Sequence, residues 1–250
     1  MLNYLINIFF YIKIIITWVQ IFKIIYNKKT IKDDKINIGL ILAGGTSTRF
    51  GGEIPKQLYL YKNIPLIKYS IESIINQVNY IIIIVNSQCY TQIKNIIDNE
   101  LYSNTKIYLI INDINCRLES IGCGLAYIKK NFNNVKFVVI HDSARPFIPS
   151  EYIENMISNT NYYSQYGLKL TNGLMDNLYN TLDRDKYIEL CSPICINFEL
   201  SKIIYDNFIN SSNRNVHEFI DILKILKIPI QIFYGKYSLL KKITYSDDLD

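Results

Sequence analysis

The chain has 250 residues, 49% of them hydrophobic and 20% charged, which excludes wholesale disorder and suits one sizeable core or two small ones. A net charge of +5 from scattered Lys and Arg suits an anionic small-molecule ligand and lacks the dense basic stripe of a nucleic-acid binder. Five cysteines without a CxxC or a zinc spacing favour reduced thiols, and two histidines cannot build a metal cluster by themselves.

The amino-terminal stretch "LINIFFYIKIIITWVQIFKII" is almost wholly apolar but carries Lys13 in its middle. A spanning helix needs ~20 mostly apolar residues, so a signal or signal-anchor reading stands beside that of an amphipathic leader. A polar linker, "NKKTIKDDKIN", follows. Residues 1–35 are therefore read as leader and linker, the one part with a route to a membrane, and 36–250 as the folded domain.

From Ile36 strands and helices alternate. "INIGLILA" is a short apolar run of the buried-parallel-strand kind, and a glycine loop follows it. "PLIKYSIESIINQV" has Ile67, Ile71, Ile74, Ile75 and Val78 at helical spacing. "YIIIIVN" and "KIYLIIN" read as two further strands, separated by a helical "YTQIKNIIDNE". "SIGCGLAYIKK" predicts a helix, and "VKFVVIHDSARPF" a fourth strand running into a polar turn. Such alternation implies an α/β fold, a Rossmann-like, doubly wound, mainly parallel sheet with crossover helices on both faces. Beyond Tyr162 the pattern becomes irregular, and residues of about 164–196 read as an extended arm or hairpin. Helices around Phe198–Ile209 and Val216–Leu226, then the strand "IPIQIFYG", close the domain.

Ligands of open parallel sheets bind beyond the carboxyl ends of the strands, and two motifs fall there. In "LAGGTSTRFGGEIPKQ", Gly44 and Gly45 let backbone approach phosphate oxygens without a Cβ in the way, and Thr46, Ser47 and Thr48 add hydroxyls. Arg49 and Lys56 supply the positive charge that phosphate recognition needs. Neither GxGxxG nor GxxxxGK[ST] is present, so the loop is no dinucleotide fingerprint and no P-loop. In "HDSARPF", Asp142 at a strand tip is positioned to hold a divalent metal that bridges phosphates; the alternative is a carboxylate that caps the following turn.

With "LAGG", "PKQ", "IHDSARPF", "TLDR", "SP" and "KITYSDDL" in this order and spacing, the chain from Ile36 to Leu249 resembles the 2-C-methyl-D-erythritol 4-phosphate cytidylyltransferases. Several of these motifs look more like the plastid-type members than the bacterial ones. The resemblance implies a CTP- and magnesium-dependent enzyme of isoprenoid biosynthesis whose nucleotide lies along Ala43, Gly44 and Gly45, with Arg49 and Lys56 on its phosphates. It implies Arg117 and Ser120 near the cytidine and Asp142 on Mg2+. Arg145, Ser192 and Thr244 correspond to positions around the polyol phosphate. Lys242 matches an active-site lysine, and Arg184 an arginine of the arm that reaches into a partner subunit, hence an expected homodimer. Within the likeness, ribitol-5-phosphate cytidylyltransferases share the motif set, and a degenerate nucleotide-binding homologue is the other alternative. A hydrophobic leader on a plastid-like enzyme further implies plastid or apicoplast targeting, with the cytoplasm as the alternative.

The chain also departs from the pattern. Ser47 replaces a glycine and would crowd the phosphates unless its φ stays negative. Thr171 and Asn172 are the nearest residues to a missing arm threonine, Ile194 stands for a glutamine, and Glu218 for an aspartate. His141 is expected to orient or pack, and His217 to lie near the second site.

Overall fold

The computed structural model describes residues 12, 14–22, 24, 35–51, 54–99, 106–206 and 219–249. The first eleven residues of the expected leader, most of the linker, the end of the expected 198–209 helix, His217, Glu218 and the first part of the expected 216–226 helix lie outside them. Helix α1 (14–22) comes first; Thr17 and Ile21 are buried, and Ile21 joins the main apolar cluster. Among the described residues no helix is long and apolar enough to cross a membrane.

Strand β1 (Ile36–Ala43) leads through the glycine loop and the small β2 (Leu60–Tyr61) and β3 (Ile64–Pro65) pair into α2 (Leu66–Ile74). Then come β4 (Tyr80–Val85), α3 (Ser87–Asp98), β5 (Lys106–Ile111), α4 (Arg117–Asn131) and β6 (Val135–Asp142). Helix α5 (Ser150–Asn159), a segment the sequence reading left unassigned, precedes β7 (Tyr163–Lys169). A hairpin of β8 (Leu174–Met175) and β9 (Thr181–Leu182) leads to β10 (Ile188–Asn197), α6 (Phe198–Ile204), α7 (Phe219–Ile225), β11 (Gln231–Tyr234) and α8 (Tyr237–Leu240).

The central sheet has seven strands in the order β11-β7-β10-β6-β1-β4-β5. β1 pairs in parallel with β4 and β6, and β4 with β5, while β10 runs antiparallel to both β6 and β7. This corrects the extent of the arm. β7 and β10 belong to the sheet, and only the hairpin between them, with its flanking turns, departs from it. Glycine, asparagine and isolated polar residues obscured the strand alternation there, but neighbours on both sides bury these strands anyway.

Side chains alternate across the sheet. Ile38, Leu40, Ile82, Ile84, Val138 and Ile140 face α4, α6 and α7, whereas Ile41, Ile81, Ile83, Val85, Phe137 and Val139 face α2, α3 and α5. That period of two along strands buried on both faces explains the near-continuous Ile and Val runs. The chain winds from β1 outward to β4 and β5, then returns to β6 on the other side of β1. The switch point thus lies between β1 and β6, whose carboxyl ends carry the glycine loop and Asp142.

Candidate active site

Beyond these two strand ends lies a cavity of about 360 Å3, lined by the loop from Gly44 to Arg49, by Lys56, Arg117, Ser120 and Asp142, and by Lys242 and Thr244. Residues from distant parts of the chain therefore converge on one cleft. A second cavity of about 170 Å3 adjoins it and shares Arg117, Asp142 and Lys242; Arg145, Gln165 and Ser192 also line it.

The loop is held from beneath. Gln57, 3% exposed, donates through Nε2 to the carbonyls of Ala43 at 3.0 Å and Gly45 at 3.4 Å, and to Cys89 Sγ at 3.2 Å. Asn86, the residue capping α3, donates from Nδ2 to the Gly44 carbonyl at 3.3 Å. The carbonyls of Ala43, Gly44 and Gly45 are thus turned into the protein, where they cannot repel an anion in the cleft. Ala43 itself is buried and does not line the cavity, so its part is to anchor Gln57 rather than to touch a ligand.

Ser47 adopts φ +58°, the condition under which its side chain was expected to crowd the phosphates. That left-handed backbone costs a non-glycine residue on the order of 1 kcal/mol and needs compensation. Here the Ser47 hydroxyl accepts from the Lys56 amide at 3.0 Å and donates to Gln57 Oε1 at 3.2 Å. The side chain that was expected to crowd the phosphates instead ties the loop to the Lys56 segment.

Lys56 Nζ donates to the Ile243 carbonyl at 2.7 Å, which joins the loop region to the carboxyl-terminal strap bearing Lys242. Burial and then the nearby Lys242 and Arg49 lower its pKa to about 8, against weaker support from Asp142 and Asp248. Asp142 accepts from Arg117 Nε at 3.2 Å, while its backbone N–H donates to Ser192 Oγ at 3.1 Å. Burial pushes the Asp142 carboxyl upward, but Arg117, Lys242 and Arg145 together outweigh it and hold the pKa below its ordinary value.

Arg145 is 5% exposed; its guanidinium donates to the Leu240 carbonyl and lies 4.0 Å from Glu189. Ser120 Oγ accepts from Asn112 Nδ2 at 3.3 Å and donates to the Cys116 carbonyl at 3.0 Å. Arg184 lines neither cavity. It is exposed on the arm and donates to the Thr171 carbonyl. His141 is fully buried, and burial lowers its pKa to about 4, so it packs as a neutral ring.

Gln57, Asn86 and Gln165 were not singled out from sequence. Gln57 had a signal, since it completes "PKQ", but a buried amide that pins a loop is indistinguishable in a one-dimensional reading from a surface glutamine.

A cation-lined cleft at the switch point of a doubly wound sheet suits a phosphate-bearing nucleotide, and sequence relatives make the enzyme a nucleotidyltransferase. The model of the 2-C-methyl-D-erythritol 4-phosphate cytidylyltransferase family matches residues 38–250. The chain belongs to this family. Similar proteins include 2-C-methyl-D-erythritol 4-phosphate cytidylyltransferases of Thermosipho melanesiensis, 25% identical over 86% of this chain and 95% of that one. One from Clostridium botulinum is 26% identical over 85% and 94%. Among solved structures, 4-diphosphocytidyl-2C-methyl-D-erythritol synthase from Anaerococcus prevotii superposes with a TM-score of 0.70 at 18% identity, covering 87% of this chain and 96% of that one. The Thermus thermophilus cytidylyltransferase gives 0.65 at 15%, covering 86% and 95%. These two likenesses establish the fold.

Proposed function

We propose that this enzyme transfers the cytidylyl group of CTP to 2-C-methyl-D-erythritol 4-phosphate, yielding 4-CDP-2-C-methyl-D-erythritol and pyrophosphate for non-mevalonate isoprenoid synthesis. The observation that carries the reading is the lining of one cavity by Arg49, Lys56, Asp142 and Lys242. An oxygen of the acceptor's phosphate attacks the α-phosphorus of CTP, the bridging bond to the β-phosphate breaks, and pyrophosphate leaves with the electron pair. The attacking oxygen is already anionic, so no general base is needed. Catalysis is in-line positioning plus stabilisation of charge that accumulates on the α-phosphate oxygens and leaving group. Arg49, Lys56 and Lys242 supply that stabilisation, and Gly44, Gly45, Arg117 and Ser120 hold the nucleotide. Arg145, Ser192 and Thr244 are assigned to the acceptor side.

Asp142 fits magnesium of a particular kind. Among the described residues no group of three or more His, Cys, Asp or Glu gathers into a protein cage. Magnesium on a nucleotide needs only one or two carboxylates and takes its other ligands from phosphates and water, and Asp142 is one carboxylate kept ionised by its cationic neighbours. When bound there, the ion supplies charge neutralisation at the phosphates.

The exposed arm supports a homodimer. Met175, Leu178 and Tyr179 are 60%, 80% and 85% exposed. A second copy would cover them and bring its Arg184 toward this cleft. The hydrophobic leader supports plastid or apicoplast targeting; a reporter fused to residues 1–36 that stayed diffuse in the cytosol would reject it.

The deciding assay is pyrophosphate release from CTP and Mg2+ with 2-C-methyl-D-erythritol 4-phosphate or ribitol 5-phosphate, with the product identified by mass. Turnover is expected with the former and a loss of a hundredfold or more for Lys56→Ala or Asp142→Ala. Turnover with ribitol phosphate alone, or with neither, would overturn the acceptor assignment.

A further inference from the structure

Gln165 sits in the middle of β7 and is 6% exposed, with Ile194 and Ile232 as its sheet neighbours. A carboxamide in such surroundings costs free energy unless its polar atoms are matched. Its carbonyl is matched: Tyr163 Oη donates to Oε1 at 2.6 Å. The Tyr163 ring is in turn fixed, 1% exposed and stacked on Phe219 with centroids 6.4 Å apart and planes 8° from parallel. The amide nitrogen meets no acceptor among the described residues, and Gln165 lines the smaller cavity.

That cavity has a mixed lining of net positive charge. Arg117, Arg145 and Lys242 outnumber the one carboxylate in its lining, Asp142, which Arg117 pairs, while Gln165 and Ser192 are among its uncharged polar groups; Arg117, Asp142 and Lys242 also line the nucleotide cleft. Leu190 and Phe219 are part of its apolar wall. An occupant complementary to this lining has an anionic group by the Arg117 and Lys242 side chains that both cavities share and hydroxyl-bearing carbons by Gln165, which lines the smaller cavity alone. The phosphate of a phosphorylated polyol would then lie beside the reacting nucleotide, with its alcohol chain in the smaller cavity.

Resting on the cytidylyl-transfer reading above, we infer that Gln165, oriented by Tyr163, hydrogen-bonds one hydroxyl of the acceptor's carbon chain and is the residue that selects a polyol phosphate. A hydroxyl both donates and accepts, so the carboxamide serves in either amide orientation. Tyr163 acts through Gln165 as a positioning residue: its hydroxyl restricts the carboxamide's rotation and orders it before substrate arrives.

The test compares the full-length wild type with Gln165→Leu and Tyr163→Phe. Each is assayed for pyrophosphate release with 2-C-methyl-D-erythritol 4-phosphate and with analogues that each lack one hydroxyl. Gln165→Leu is expected to raise the acceptor's KM roughly tenfold, the effect of one neutral hydrogen bond, while the KM for CTP stays within twofold. One deoxy analogue should be used equally by wild type and Gln165→Leu, because the bond is absent from both combinations. Tyr163→Phe should move the acceptor's KM in the same direction by less, without altering the KM for CTP. An unchanged acceptor KM overturns the inference. So do parallel rises in both KM values, or a penalty for Gln165→Leu that is the same on every analogue, since these mark a purely structural role. If wild type turns over no polyol phosphate, the transfer reading itself falls and takes this inference with it, a result read before any variant is compared.

Discussion

Lys56 shows how a single residue in this site is tuned. Burial and two neighbouring cations bring its pKa to about 8, so it is charged in neutral solution but close to losing the proton. The free enzyme's kcat/KM for CTP should therefore fall about tenfold per pH unit above pH 8, as the cation assigned to the triphosphate is neutralised. Lys56→Arg, which stays protonated, should move that limb to higher pH; a limb unmoved by the substitution would assign the ionisation elsewhere. The linkage to stability has the opposite sense. A folded pKa depressed from 10.5 to about 8 means that charged Lys56 costs stability below pH 8, and that cost is relieved as pH rises through the window between the two values. Gln57 is the other residue with a sharp expectation. Gln57→Leu removes the donor to Ala43 and Gly45 and strands a buried carbonyl, so the unfolding free energy should fall by about 2–3 kcal/mol in urea titration. The KM for CTP should rise with it, because the loop loses its anchor.

The elements matter here mainly through what they place at their ends. Helix α4 begins with Arg117 and presents Ser120 one turn later, and its depth against β1 sets where both groups stand. Gly124 fixes that depth: a Cβ built there would lie 2.3 Å from Leu40 Cδ1, well inside contact distance. Gly124→Ala should therefore push α4 off the sheet and cost about 1–3 kcal/mol by overpacking, although alanine is the better helix former by about 1 kcal/mol. Leu40→Ala should cost less in the Gly124→Ala background than alone, because the added methyl fills part of the cavity, a coupling that a simple helix-propensity effect would not produce. The carboxyl-terminal strap is held from two sides, by Lys56 on the Ile243 carbonyl and by Asp248 accepting from the Thr244 amide at 2.6 Å. With Arg145 on the Leu240 carbonyl before it and these two bonds after it, Lys242 projects from a short segment pinned at both flanks rather than from a loose tail.

At the scale of the whole molecule, a single chain brings Arg49, Lys56, Asp142 and Lys242 to one cleft but leaves Arg184 outside it. The hairpin that bears Arg184 also bears Leu178 and Tyr179, exposed far beyond what an isolated chain needs. Leu178→Asp with Tyr179→Asp should convert a dimer to monomers in sedimentation and reduce turnover while leaving CTP-induced thermal stabilisation in place. A monomeric wild type would remove the reason for assigning Arg184 to catalysis.

Much of this was readable in one dimension because the signals are local. Apolar runs of strand length, helical spacing of isoleucines and the residues "LAGG", "PKQ" and "HDSARPF" depend only on neighbours along the chain, and they sufficed for the parallel part of the sheet and for the cations that meet in one cleft. Tertiary structure alone decided the rest. β7 and β10 became sheet strands because burial by neighbours overrode their weak pattern, Ser47 took a positive φ because Lys56 and Gln57 hold its hydroxyl, and Ala43 turned inward to serve Gln57. The second cavity with Gln165 exists only once β7, β10 and α7 are packed together. Contacts between segments far apart in sequence depend on the folded geometry of both partners, and no spacing along the chain encodes that.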